Sequence, residues 1–172
     1  MPRKPDFMEY ADPGKSHSYV KLIAAVLLCL VVGSMGSLVT TTGSGSWYES
    51  LEKPAFTPPN WVFGPVWTTL FILMGIALYL VWQSGTERRD VQIALAVFGI
   101  QFALNVLWSF LFFGMQSPLL GLVEIVLLWI MIAVTIVLFY QIRKIAGYLL
   151  VPYIVWVTIA TALNYSVYIL NP

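Results

Sequence analysis

Apolar residues gather along the chain into five long runs, at about 21–42, 63–83, 91–113, 118–141 and 146–170. Each meets or passes the roughly 20 residues that a helix needs to cross the hydrocarbon of a bilayer. The pattern predicts an all-α integral membrane bundle of five transmembrane helices. Within the third run, Gln101, Asn105, Trp108 and Phe112 follow at steps of four, three and four and share one helical side. Ala96, Gly99 and Ala103 fall on nearly the opposite side. Carboxamides are costly in hydrocarbon unless they point into a bundle, so the Gln101/Asn105 side should look inward. The small side is free to meet another helix, either within the monomer or from a second copy of the chain. The second run aligns Phe63, Trp67, Leu70 or Phe71, Met74 and Leu78, and the fifth aligns Tyr153, Trp156, Ala160, Asn164 and Val167. Both rows read as inward faces. The first run carries Gly33, Ser34, Gly36 and Ser37, a spacing suited to close helix packing.

Between the first two runs the pattern breaks. TTTGSGS at 40–46 supplies turn-forming residues, and WYESLEKPAFTPPNWVFGPVW follows at 47–67. Pro54, Pro58 and Pro59 each fix φ, remove a backbone donor and push the preceding residue toward extended conformations. An ordinary helix is excluded. The expectation is a stiff, aromatic, irregular lid, folded back over the ends of the helices because irregular backbone is not tolerated against lipid. The second helix is expected to open after Pro65, a residue suited to a first turn.

Composition agrees with the runs. The 172 residues are 59% hydrophobic and 10% charged, with a mean hydropathy of +0.83. Residues 1–172 read as one membrane domain: a polar tail over 1–20, then a retained first helix too long for a signal-peptide core, with no room for a soluble catalytic domain. The net charge of +1, spread rather than clustered, excludes a nucleic-acid partner. Cys29 is the single cysteine, so neither disulfides nor thiolate metal sites are expected. His17 stands alone, and no metal cluster, nucleophile–base pair or phosphate loop is apparent. Five spans without an internal repeat weaken an inverted-repeat transporter. Glu124 is the one charged residue well inside an apolar run. An intramembrane carboxylate suggests function, but its place six residues after Pro118 also suits a solvated or hydrogen-bonded structural group. Arg3, Lys4, Lys15, Lys21, Arg88, Arg89, Arg143 and Lys144 fall on one side of the expected bundle, and Lys53 on the other. In an inner or plasma membrane this puts the N-terminus in the cytoplasm and the lid outside.

The segment at 47–67, followed by LFILMG, ALNVLWSFLFFG at 103–114 and PYIVWVTIATALNY at 152–165, closely resembles the TspO/MBR family of translocator proteins, in its bacterial form. The likeness covers about 47–169. It implies a five-helix bundle, often dimeric, whose pocket beneath the lid binds porphyrins such as protoporphyrin IX, haem, sterols in animal members, and benzodiazepine or isoquinoline drugs. These are ligands; no cofactor is required. Carried over by position, the resemblance implies a site of Tyr48, Pro58 and Pro59 in the lid, Trp67 and Phe71 on the second helix, and Asn105, Trp108 and Phe112 on the third, with Trp156 and Ala160 on the fifth. It ties Trp67 and Trp156 to light-dependent porphyrin breakdown in bacterial members, an alternative to binding, as is true porphyrin transport. One departure stands out. Tyr165 is followed by SVYILNP, without the basic residue of the animal sterol motif. A pocket of indole, phenyl and carboxamide groups independently suits a large flat apolar ligand.

Overall fold

The computed structural model describes the backbone of residues 13–172 and side-chain surroundings from Ser18 onward. The basic residues Arg3 and Lys4 lie outside the described residues. The elements are α1 (Pro13–Ser34) with a 3-10 turn (Met35–Leu38), α2 (Trp47–Ser50), α3 (Asn60–Trp82), and α4 (Arg89–Ser109) with a π turn (Phe110–Gly114). They continue with α5 (Pro118–Ile142), α6 (Lys144–Leu149) and α7 (Val151–Leu170). No strand occurs among the described residues, and five of the helical stretches are long and apolar enough to span a membrane. The all-α bundle expected from the pattern is present.

Its boundaries differ for local reasons. The first helix begins at Pro13, inside the expected polar tail, and ends before 42. Its end tightens because the Ser34 and Ser37 hydroxyls donate back to the carbonyls of Val31 and Ser34, at 2.8 and 2.6 Å. The second spanning helix starts at Asn60 rather than after Pro65. Pro59 caps it, Val62 N–H donates to the Pro59 carbonyl at 2.9 Å, and Pro65 sits inside at the cost of one backbone bond. The fifth span is two helices, broken at Leu150, where Pro152 cannot donate to the preceding turn. The lid also contains one helical turn, α2. Ser46 Oγ accepts from Glu49 N–H at 3.3 Å while the Glu49 carboxylate accepts from Gly45 N–H at 2.5 Å, a reciprocal cap.

Tight crossings hold the bundle. A Cβ on Gly75 would lie 2.5 Å from the Val26 Cα, so only glycine lets α1 and α3 meet there. Gly33 gives its place to the Phe71 ring, and Gly36 to the Ser109 side chain, fixing α1 against α3 and α4. Gly33 and Gly36 therefore serve close packing, as their spacing suggested. At the opposite end a Cβ on Gly147 would come within 2.7 Å of the Tyr140 Cβ, so α6 turns tightly against α5.

Candidate functional site

The lid folds back over the helix ends. The Trp47 ring meets Phe112 edge-on at 5.6 Å, and Tyr48 meets Phe113 at 5.5 Å. Asn60 Nδ2 donates to the Thr42 carbonyl at 3.0 Å, and Asn171 binds the backbone of Glu52, so both ends of the lid are fastened. Beneath lies a cavity of about 430 Å³. That is within the range of about 300–1,000 Å³ typical of small-molecule sites.

Eight of the ten residues expected at the site line this cavity: Tyr48, Trp67, Phe71, Asn105, Trp108, Phe112, Trp156 and Ala160. Pro58 and Pro59 do not; Pro58 is half-buried in the lid and Pro59 caps α3, so they stiffen the cover rather than form a wall. Trp67 stacks on Phe71 at 5.5 Å, and Trp108 stacks on Phe112 at 5.0 Å. The second stack is set by the π turn, which widens the helix beside Phe112 and Phe113 and ends with Met115 N–H donating to the Phe110 carbonyl at 2.8 Å.

Hydrogen bonds lock most polar groups of the walls. Trp108 Nε1 donates to Asn164 Oδ1 at 3.1 Å, and Asn164 Nδ2 donates to the Pro118 carbonyl at 2.8 Å. Asn105 Nδ2 donates to the Tyr153 hydroxyl at 3.0 Å. The Thr40 and Thr68 hydroxyls donate to carbonyls of their own helical segments, at 2.8 and 2.9 Å. The Trp156 indole N–H is different: it is buried and has no partner. Among the described residues, no charged side chain lines the cavity. At the lid the Lys53 ammonium lies 4.7 Å from the centre of the Tyr48 ring, and burial pushes the Tyr48 phenol above its ordinary pKa. The phenol is therefore protonated at neutral pH.

Gln101 is on the inward side as expected, yet neither of its amide atoms has a partner and it does not reach the cavity. Glu124 is buried, and neither carboxylate oxygen is hydrogen-bonded. It is neither solvated nor part of the cavity lining. Several wall residues had weak sequence signals. Phe63 and Asn164 lay in the inward rows, Gly33 and Ser37 looked like packing alone, and Ile125 and Leu128 sit in a helix with apolar residues all around, interrupted by Glu124 and Thr135. No group of three or more metal-ligating side chains occurs among the described residues.

The family described as TspO/MBR matches residues 25–170. The chain is 48% identical to the Tryptophan-rich protein TspO of Archaeoglobus fulgidus over 152 residues, which is 88% of this chain and 97% of that protein. It is 48% identical to the Tryptophan-rich protein TspO of Chlorobaculum tepidum over 151 residues, 88% of this chain and 96% of that protein. It is also 41% identical to the Translocator protein of Homo sapiens over 123 residues, 71% of this chain and 73% of that protein.

Proposed function

Because this chain belongs to the TspO/MBR family of integral membrane proteins, we propose that its covered cavity binds porphyrins, haem and similar flat hydrophobic molecules, in tetrapyrrole sensing, transport or sequestration. The observation that carries this reading is the cavity wall. Two aromatic stacks, Trp67 on Phe71 and Trp108 on Phe112, offer faces to a planar ring system, and the free Trp156 N–H offers a donor to one polar atom. A charged ligand would not fit among these walls. The carboxylates of a porphyrin belong instead at the mouth, where Lys53 stands over Tyr48.

In an inner or plasma membrane, the distribution of Lys and Arg supports a cytoplasmic N-terminus and a lid on the outer side. Ala96, Gly99 and Ala103 are exposed on α4, and a Cβ on Gly99 would meet nothing, which supports a homodimer through this face. Titration of the purified protein with protoporphyrin IX, followed by tryptophan quenching, tests the binding reading. Saturable quenching at one porphyrin per chain is expected, and quenching that never saturates would refute it.

A further inference from the structure

Trp156 separates two hollows. On one side it lines the covered cavity, and on the other it lines an apolar groove on the outer surface, together with Pro65, Thr69, Leu73, Val155 and Ile159. The groove exists because α3 packs along α6 but parts from α7. α6 gives way to α7 at Leu150, and α7 begins with Pro152 in its first turn, which allows the last helix to change direction there. Thr69 and Val155 lie in the middle of their spans, Asn60–Trp82 and Lys144–Leu170, and both are exposed, so the groove opens to the hydrocarbon of the bilayer. What closes the crevice is a pair of rings. Phe63 of α3 meets Trp156 of α7 edge-on at 5.6 Å.

We propose that the α3–α7 crevice is a side entrance from the bilayer, with Phe63 and Trp156 as its gate, through which a planar apolar ligand reaches the cavity. This rests on reading the cavity as a tetrapyrrole site. Entry beneath the lid would break the Asn60–Thr42 bond and both bonds between Asn171 and Glu52. Entry through the crevice requires that the Phe63 and Trp156 rings part, and the Trp156 indole is held by no hydrogen bond. Flat apolar molecules concentrate in the membrane, so the crevice also faces the phase that holds them. On this proposal, lipid acyl chains fill the groove outside Trp156 at rest.

The test follows protoporphyrin IX binding to the protein in liposomes by stopped-flow tryptophan quenching. Thr69→Phe with Ile159→Phe fills the groove from outside without touching the cavity lining. Association and dissociation should both slow by roughly tenfold or more while Kd holds, as expected when only a gate is obstructed. Asn171→Ala, which loosens the lid, should leave both rates unchanged. Unaltered rates in the groove variant, or faster exchange in Asn171→Ala, would overturn the side entrance while leaving the cavity reading intact. If the unaltered protein binds no porphyrin, the cavity reading fails, and the gate is judged by phospholipids brominated at mid-chain. These should quench the unaltered protein more than Trp156→Phe; equal quenching would remove the contact between Trp156 and lipid.

Discussion

Asn171, at the end of the last helix, acts as a clasp on Glu52 in the lid: its Oδ1 accepts from Glu52 N–H at 2.9 Å and its Nδ2 donates to the Glu52 carbonyl at 3.0 Å. The side chain thus pairs with extended lid backbone as a neighbouring strand would. Nδ2 also donates to the Val167 carbonyl at 2.8 Å, which anchors the clasp to α7. Asn171→Ala removes both lid bonds. Exposed bonds of this kind are worth about 0.5 kcal/mol each, so losing both costs on the order of 1 kcal/mol and hydrogen-exchange protection of lid amides around Glu52 should fall about fivefold. Protection of α4 and α5 should not change.

Asn164 joins three elements, accepting from Trp108 and donating to the carbonyl that begins α5. Replacing it with leucine leaves an indole N–H and a helix-end carbonyl unpaired. Interhelical bonds in membranes contribute about 0.6–2 kcal/mol each. Asn164→Leu should therefore lower Tm in detergent by several degrees, and Asn164→Gln should recover part of the loss. An unchanged Tm would mean that this bridge does not hold α4 to α7.

At Gly75 the prediction concerns packing alone. The Cβ of an alanine would press on the backbone of Val26, which cannot rotate away. Overpacking of this sort costs typically about 1–3 kcal/mol. Gly75→Ala should reduce Tm more than Gly99→Ala, where a Cβ meets nothing in the monomer.

On the porphyrin reading, charge recognition and ring recognition separate at Lys53. Its ammonium donates to the Glu49 and Leu51 carbonyls at 3.2 and 3.0 Å and remains at the lid surface above Tyr48. Lys53→Glu should weaken binding of protoporphyrin IX by roughly fivefold, the scale of an exposed ion pair, and leave its uncharged dimethyl ester unaffected. Equal loss for both would place the carboxylates away from this residue.

Much of this architecture was legible in the sequence because membrane helices announce themselves by length and polarity. The inward rows of α3, α4 and α7 followed from three- and four-residue steps, and Asn105, Trp108 and Trp156 do line the cavity. The breaks were less visible. Pro152 marked the division between α6 and α7, but a proline near a helix start is also compatible with an unbroken span. Pro65 looked like a first-turn residue and proved internal, since Pro59 caps the helix earlier. The π turn at Phe110–Gly114 has no composition signature. Pro58 and Pro59 resembled wall residues by position, whereas their rigid rings shape the lid instead. The hydrogen bond between Glu52 and Asn171 spans 119 positions, a distance no local pattern encodes.

On the proposed function, the space under the lid holds the ligand. Ala160 is half-buried on the α7 wall, so Ala160→Phe places a ring inside the cavity without removing any tryptophan. The measurement is equilibrium titration of Ala160→Phe with protoporphyrin IX, beside the unaltered protein and with helix content checked by circular dichroism. Affinity should fall by roughly tenfold or more, the effect of about 1.4 kcal/mol. Undiminished, saturable binding in a correctly folded Ala160→Phe protein would contradict the account.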